Sequence, residues 1–204
     1  PEIGFESELP DEKEEIRDLI TEIGNVKNRG ISIEKYESIR YGVVFTRIYK
    51  IYEKQRKLMR KIDFDDMLLL CYDLFRRRPD ILEQWQKRFR YILIDEFQDV
   101  NRIQYEVVRM LAMPENNLFV VGDDDQSIYH FRGASPEIML GFGEDYPETE
   151  TILLDVNYRS SRNIVNGALR VISNNSRRYK KKLVTSGDKG ACIHVQEVKD
   201  AKEK

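Results

Sequence analysis

Short runs of apolar residues, each followed by polar ones, alternate with helical patterns in the second half of the chain. The runs cover residues 91–94, 118–121 and 151–154. Apolar runs bounded by charge are typical of fully buried strands in a parallel sheet. Between the first two runs, apolar side chains at helical spacing predict a helix over about residues 102–113. This alternation of strands and helices predicts an α/β fold with a parallel sheet.

Helical spacing of apolar residues also dominates the first quarter of the chain. It predicts one helix over residues 11–27, ended by Gly24 or Gly30, and a second, longer helix that begins at Ser32. The remaining helical patterns cover residues 67–75, 80–90, 136–142 and about 161–173. Imperfect alternation over residues 191–198 predicts a last strand.

The second helical pattern is rich in aromatic residues, which are mixed with arginine and lysine. The aromatic positions are Tyr36, Tyr41, Phe45, Tyr49 and Tyr52. We favour a packed helix face over which long basic side chains lie. The alternative is a surface that faces nucleic acid, because basic amphipathic helices occur in both roles.

The composition narrows the class of protein. Of the 204 residues, 41% are hydrophobic and 34% are charged, which is compatible with a globular core. The net charge of −2 argues against DNA binding by bulk electrostatics, although a local basic groove is still compatible with it. Two distant cysteines suit the reducing cytoplasm, and two histidines are too few for a zinc site. No apolar run approaches the ~20 residues of a membrane span, so no membrane partner is expected.

Two acids, Asp95 and Glu96, directly follow the first apolar run. Open α/β sheets place their ligands at the carboxyl ends of their strands. Asp95 is suited to hold Mg²⁺, because that ion prefers oxygen ligands. Glu96 could polarise a water molecule for attack on a phosphate. For an acid pair taken alone, the alternative is a solvated acidic turn.

A loop with many polar and aromatic residues follows the second apolar run. If the first two strands are neighbours, Gln126 lies near the two acids, where its neutral amide could hydrogen-bond a phosphate oxygen or orient a water. Tyr129, Phe131 and Arg132 combine aromatic rings with a guanidinium group. That combination suits the stacking of unpaired nucleic acid bases.

Tyr158 and Arg159 follow the third apolar run. An arginine just after a strand can stabilise the charge that develops on a transferring phosphoryl group. The tyrosine offers a flat face for a purine. Taken separately, each residue has a simpler interpretation, as a core side chain and as one partner of a surface ion pair.

Three long segments of the chain resemble helicase motifs II, III and IV of the UvrD/Rep family of superfamily 1. They are residues 94–101 (IDEFQDVN), 121–134 (VGDDDQSIYHFRGA) and 157–160 (NYRS). Residues 63–66 (DFDD) also resemble the segment that precedes motif II in this family. The resemblance implies a DNA-stimulated ATPase that uses Mg²⁺, moves 3′ to 5′ on single-stranded DNA and separates duplex DNA.

The resemblance also implies a fold and its division. The fold would be part of a P-loop NTPase (RecA-like) parallel sheet with an N-terminal helical subdomain. Residues 1–58 would form the helical subdomain, residues 59–148 the C-terminal part of the first RecA-like motor domain, and residues 149–204 the start of the second.

Residue roles around the nucleotide follow from the same resemblance. Asp95 and Glu96 would bind Mg²⁺, and Glu96 would be the catalytic base. Gln126 would contact the γ-phosphate and couple it to the DNA site. Tyr158 would stack on adenine, and Arg159 would be the arginine finger of the second motor domain.

Single-stranded DNA would be contacted by Phe64, Tyr129, Phe131 and Arg132. Many relatives carry tryptophan where Phe131 stands, and stacking survives that change with a smaller ring face.

The phosphate-binding loop GxxxxGK[ST] does not occur in this sequence. The expectation is therefore a piece of a longer helicase, which alone binds ATP poorly and does not unwind DNA. Two alternatives are a piece of a helicase–nuclease subunit and a non-catalytic module that binds DNA or a partner. A phosphate-binding loop immediately upstream would favour the motor.

Overall fold

The computed structural model describes residues 12–127 and 134–196, which form a mixture of helices and short strands. The chain divides into two compact units between Gly141 and Phe142. The helices of the first unit are α1 (Glu12–Arg29), α2 (Val43–Leu58), α3 (Phe64–Arg77), α4 (Pro79–Arg88), α5 (Arg102–Ala112) and α6 (Pro136–Leu140). Its strands are β1 (Ile92–Ile94) and β2 (Leu118–Val120). The second unit contains α7 (Phe142–Asp145), β3 (Val156–Asn157), α8 (Arg162–Ile172) and β4 (Val184–Thr185).

The strands β1 and β2 pair in parallel, and α5 connects them. Ile92 lies opposite Leu118 and Ile94 opposite Val120, so the predicted strand–helix–strand order is confirmed. The prediction that these strands are fully buried is wrong, because the register partners Leu93 and Phe119 are 72% and 59% exposed. In the described part of the chain this sheet has two strands, and their outward-facing side chains remain open to solvent.

The predicted third strand over residues 151–154 is wrong. These residues have no regular structure, and Leu154 is 82% exposed. Strand pairing begins only where Val184 donates its backbone N–H to the carbonyl of Asp155 at 2.8 Å. The strand β3 then pairs in parallel with β4, which the sequence pattern did not predict. Residues 191–196, the described part of the predicted last strand, also have no strand.

The helix α1 agrees with the prediction and ends at a glycine in the left-handed region. Gly30 has φ +62°, and its N–H donates to the carbonyl of Lys27 at 3.0 Å. A Cβ at this position would lie 2.7 Å from Cδ1 of Ile103 in α5. Glycine therefore both ends the helix and allows the close approach of α5.

The predicted start of the second helix at Ser32 is wrong. Residues 33–35 form a single 3-10 turn, and Ser32 makes no side-chain capping bond. The helix α2 begins only after Gly42, which has φ +53°. Helical spacing continues through this break in the sequence, but the left-handed glycine interrupts the backbone.

The aromatic residues of α2 and the segment before it form the core of the helical part. Phe45 is completely buried and packs with Ile23 and Val26 of α1. The residues around this centre are Leu19, Ile33, Tyr36, Tyr41, Tyr49 and Tyr52. The packed-face interpretation of these aromatic residues is therefore confirmed.

A capping box opens α3, so that this helix begins three residues earlier than predicted. Oδ1 of Asp63 accepts the N–H of Asp66 at 2.7 Å, and Oδ2 of Asp66 accepts the N–H of Asp63 at 3.0 Å. This reciprocal arrangement satisfies two backbone donors at the helix start. It fixes Phe64 at the first position of the helix.

A buried ammonium group ties the first three helices together. The side chain of Lys27 is 1% exposed, and its Nζ lies 3.0 Å from Oε1 of Glu53 and 2.9 Å from Oδ1 of Asp66. Asp63 is its third carboxylate partner. Oxygen atoms of the three acids lie within 4.8 Å of one another. Arg56 adds ion pairs of 2.7 Å to Oε2 of Glu53 and 2.8 Å to Oδ2 of Asp66. Lys27 and Arg56 together therefore supply the positive charge that this acidic group requires in a buried position.

Burial and charge act in opposite directions on the acids of this network. Burial favours their neutral forms, but hydrogen bonds from Arg56 and Lys27 to Glu53 outweigh it, and those from Lys27 and the backbone to Asp63 do the same. The pKa of both carboxyls is consequently below its usual range. Burial and the bond to Asp63 raise the pKa of Tyr52 to about 12.

Amide side chains connect α1, α3 and α5. Nδ2 of Asn101 donates to Oδ1 of Asn28 at 2.9 Å, and Nδ2 of Asn28 donates to Oδ1 of Asp65 at 3.0 Å. Asn101 also caps α5 by accepting the N–H of Gln104. These bonds hold α1 and α3 against α5, the helix that connects β1 and β2.

No helix within residues 12–127 and 134–196 is both long and apolar enough to cross a lipid bilayer.

Candidate functional site

The ends of β1 and β2 meet at one edge of the sheet. The N–H of Val121 donates to the carbonyl of Ile94 at 2.8 Å, and the N–H of Phe97 donates to the carbonyl of Val121 at 2.9 Å. The acid pair after β1 and the loop after β2 therefore leave from adjoining positions. The first two strands are neighbours, which was the condition for Gln126 to lie at the same edge of the sheet as the two acids.

Asp95 and Glu96 are both exposed at this edge. Oδ1 of Asp95 accepts the backbone N–H of Glu96 at 2.9 Å. Glu96 itself has φ +51°, a left-handed conformation that is uncommon for a residue with a side chain. Among the described residues Glu96 forms no ion pair. Its carboxylate is therefore open to a ligand or to water.

A buried glutamine joins the acid pair to the next loop. Gln98 is 2% exposed, and its Nε2 donates to Oε2 of Glu96 at 2.8 Å. Its Oε1 accepts the N–H of Asp123 at 3.0 Å, and its backbone carbonyl accepts the hydroxyl of Ser127 at 3.2 Å. The side chain thus spans from the end of β1 to the loop after β2.

Gln126 ends a 3-10 turn in that loop. Its Nε2 donates to Oδ2 of Asp123 at 2.8 Å, and Oδ1 of Asp123 accepts the N–H of Asp125 at 3.2 Å. Together with the contacts of Gln98, these bonds form a chain from Glu96 through Gln98 and Asp123 to Gln126. The amide is exposed, so it can reach a ligand by rotation.

The donor atoms at this edge suit a hard divalent cation. Besides the exposed carboxylates of Asp95 and Glu96, oxygen atoms of Asp123, Asp124 and Asp125 lie within 4.8 Å of one another. Mg²⁺ prefers such oxygen ligands and retains part of its water shell. The residues present therefore fit this ion.

Another carboxyl near the acid pair, that of Asp99, is less exposed. Burial, and secondly the charge of Glu96, raise the pKa of Asp99 above its usual value. Its Oδ1 is buried and accepts no hydrogen bond in the described part of the chain. This residue lines an open cavity of about 990 Å³ between α1, α3 and α5.

Phe64 lies at the rim of the same cavity. Its side chain is 87% exposed, although it occupies the first position of a well-capped helix. Asp65, Leu68 and Asn101 line the cavity with it. An exposed ring on a rigid helix start is a suitable stacking surface for a base.

Three predicted DNA-contacting residues, Tyr129, Phe131 and Arg132, lie outside the described residues. The described part of their loop ends at Ser127 and resumes at Ala134, which pairs in an antiparallel bridge with Asn101.

In the second unit, Tyr158 and Arg159 follow β3 and are exposed. Oδ1 of Asn157 accepts the backbone N–H of Arg159 at 3.0 Å and that of Ser160 at 2.8 Å. This asparagine turn projects both side chains outward and leads to α8. The interpretation of Tyr158 as a core side chain is wrong, because its side chain is 82% exposed.

Comparison with known protein families shows to which family this chain belongs. The family model of the UvrD/REP helicase N-terminal domain matches residues 3–147. The chain belongs to the UvrD/Rep helicase family. The predicted resemblance is therefore confirmed over most of the chain.

Several members of the UvrD/Rep family are similar to this chain. A protein named putative ATP-dependent DNA helicase YjcD, from Bacillus subtilis, is 45% identical over 185 residues, which are 90% of this chain and 24% of that protein. The ATP-dependent DNA helicase PcrA of Staphylococcus aureus is 41% identical over 192 residues, which are 93% and 26% of the two chains. PcrA of Staphylococcus epidermidis is 43% identical over 186 residues, or 90% and 26%. The chain spans about a quarter of the length of these relatives.

Within the segments that resemble the UvrD/Rep motifs, sequence reasoning did not select Gln98 or Asp123 as site residues. Gln98 lies two positions after Glu96 in the segment that resembles motif II, so its place in the motif could have marked it as a candidate site residue. Asp123 is the first of three consecutive acids in the segment of residues 121–134. Its structural role depends on a contact 25 positions away, which no local pattern reveals.

Proposed function

We propose that this chain is the part of an ATP-dependent DNA helicase that carries the acidic side of its ATP site and part of its single-stranded DNA track. One observation carries this proposal. The acid pair after β1 and the amide loop after β2 leave adjoining strand ends and are joined by hydrogen bonds through Gln98. The names of the relatives, which are ATP-dependent DNA helicases, support the same function.

The chemistry at this edge is the hydrolysis of the terminal phosphate of ATP. Bound Mg²⁺, held by Asp95 with or without Glu96, would neutralise charge on the phosphates. Glu96 accepts a proton from the attacking water, whose oxygen forms a bond to phosphorus as the bond to the ADP oxygen breaks. The amide of Gln126 donates to a phosphate oxygen when it leaves Asp123.

The second unit contributes the remaining nucleotide contacts in this proposal. Arg159 stabilises the charge that develops during phosphoryl transfer, and Tyr158 stacks on the adenine ring. Their exposure after an asparagine turn supports these roles, because both side chains are available to a ligand. Phe64, Tyr129, Phe131 and Arg132 contact single-stranded DNA.

The proposed fold is part of a RecA-like P-loop NTPase sheet. Residues 1–58 belong to the helical subdomain, residues 59–148 to the first motor domain and residues 149–204 to the second. The parallel β1–α5–β2 arrangement supports this assignment for the first motor domain. The complete helicase moves 3′ to 5′, as the motif resemblance implies.

Strand displacement by the full-length gene product that contains these residues tests the proposal. Duplexes with a single-stranded tail at the 3′ or the 5′ end are incubated with ATP and Mg²⁺. We expect displacement from the 3′-tailed duplex and little from the 5′-tailed one. The absence of ATP-dependent displacement from either duplex would contradict a helicase.

The 204-residue chain alone is tested separately, in an assay of DNA-stimulated ATP hydrolysis. We expect no DNA-stimulated ATP hydrolysis from it, because its sequence contains the acids and the amide but not the loop that cradles the phosphates. Measurable turnover by this chain would contradict that expectation.

A further inference from the structure

The carboxamide of Gln98 makes two different hydrogen bonds in opposite directions. Its nitrogen donates to the carboxylate of Glu96 at 2.8 Å, and its oxygen accepts the backbone N–H of Asp123 at 3.0 Å. The residue is 2% exposed, so water has little access to its carboxamide. Hydrogen bonds to a charged group in such surroundings are among the stronger ones in proteins.

We propose that Gln98 is a positioning residue that holds Glu96 in place and links its orientation to the loop of residues 123–127. This inference rests on the proposed ATPase function. It goes beyond that function because it assigns the coupling between this loop and the catalytic base to a buried residue that is none of the proposed ATP or DNA contacts.

The chemistry of the position explains why an amide is needed. A carboxylate acceptor and a backbone N–H donor must be satisfied by one side chain, and among side chains of this shape only a carboxamide both donates and accepts. Glutamate would accept from Asp123 but would face Glu96 with a second negative charge. Methionine would fill the volume but would make neither bond.

The path beyond Gln98 leads into the loop that carries the proposed DNA contacts. Asp123, whose N–H is held by Gln98, accepts the amide of Gln126 through its carboxylate at 2.8 Å. The hydroxyl of Ser127 donates to the backbone carbonyl of Gln98 at 3.2 Å. A displacement of this loop therefore moves two partners of Gln98, and through its amide the carboxylate of Glu96.

Two substitutions of Gln98, by glutamate and by methionine, distinguish a role in orienting Glu96 from a role limited to holding the loop of residues 123–127 in place. Gln98→Glu keeps the acceptor for Asp123 but loses the donor to Glu96, whereas Gln98→Met loses both. Steady-state ATP hydrolysis by the full-length gene product is measured with and without single-stranded oligodeoxythymidylate. We expect Gln98→Glu to lower the DNA-stimulated kcat by roughly tenfold or more, with a KM for ATP within about twofold of wild type.

Gln86→Glu is the matched control. The Nε2 of this half-buried glutamine donates to the carbonyl of Met110 at 2.8 Å, between α4 and α5. The same substitution there removes a comparable hydrogen bond and adds the same charge. We expect its kcat to remain close to wild type.

A wild-type kcat for Gln98→Glu would overturn the inference, because Gln98 would then only hold the loop of residues 123–127 in place. If Gln98→Glu fails to fold, Gln98→Met decides instead, and a wild-type kcat for that variant has the same meaning. Glu96→Gln separates this inference from the proposed function. Loss of hydrolysis in Glu96→Gln with normal hydrolysis in both Gln98 variants would overturn the inference alone, whereas normal hydrolysis in Glu96→Gln would overturn both.

Discussion

A Cβ atom on Gly122 would lie 2.5 Å from Oε1 of Gln98. The same position would be 3.1 Å from the backbone nitrogen of Phe97. An alanine at this position would therefore force the Gln98 carboxamide to move, because the nearby backbone nitrogen leaves the Cβ little room to shift. The glycine after β2 and the glutamine after β1 form one packed junction between the two strand ends.

Gly122→Ala should disturb this junction. We expect the DNA-stimulated kcat to fall by roughly tenfold, because displacement of Gln98 releases Glu96 from its donor. Steady-state ATP hydrolysis by the full-length gene product measures this effect. The control is Gly143→Ala, where a Cβ meets no atom within 4 Å. Equal rates for the two variants would show that the close packing has no functional consequence.

Lys27→Met should destabilise the helical part of the first unit. Removal of the ammonium leaves Asp63 without its cation and leaves Glu53 and Asp66 with Arg56 as their remaining cationic partner, in a largely buried position. We expect a loss of about 3 kcal/mol in the free energy of unfolding, measured by urea denaturation. Lys57→Met, at an exposed position on α2, should change it by less than about 0.5 kcal/mol. Similar losses for the two variants would refute a special role for Lys27.

Acid should weaken the same network. The pKa values of Asp63 and Glu53 are lowered in the folded state, so the unfolded chain binds more protons as the pH falls. Their contribution to stability is present above the unfolded carboxylate pKa of about 4 and is lost as the pH falls through the lowered values. At pH values below about 4, we expect the urea concentration at the unfolding midpoint to decrease as the pH is lowered. This decrease should be less steep in Lys27→Met than in the wild-type protein. Identical pH dependence in both proteins would contradict this origin.

Phe64→Ala should weaken the binding of single-stranded DNA without unfolding the protein. Stacking on an aromatic ring contributes ~1–3 kcal/mol per base, which corresponds to a Kd higher by a factor of about 5 to 150. Fluorescence anisotropy of a labelled oligonucleotide with the full-length gene product measures this change. Tyr91→Ala, at another strongly exposed ring outside the cavity, serves as the control. Unchanged binding by Phe64→Ala would remove this residue from the proposed track.

The sequence predicted those elements that depend on local patterns. The apolar runs before Asp95 and Gly122 gave two strands, and the helical spacing between them gave the connecting helix. The packed aromatic face around Phe45 also followed from spacing. Each of these features is determined within about a dozen residues, so a single sequence reveals it.

Features that depend on distant contacts were not predictable in this way. The segment before Asp155 is as apolar as the first strand, but pairing requires Val184, nearly thirty positions later. The network around Lys27 joins residues of three helices. The role of Gln98 likewise depends on the loop at Asp123, and the break at Gly42 depends on a backbone conformation that helical spacing does not encode.

The most direct test of the central claim is the rate of DNA-stimulated ATP hydrolysis by the full-length gene product carrying Glu96→Gln. A general base contributes about a hundredfold or more to such a rate. We predict a fall of at least about a hundredfold in kcat with ATP binding retained, while Glu115→Gln, at an exposed turn, stays at the wild-type rate. Wild-type hydrolysis by the Glu96→Gln protein would contradict the assignment of this strand edge as the catalytic site.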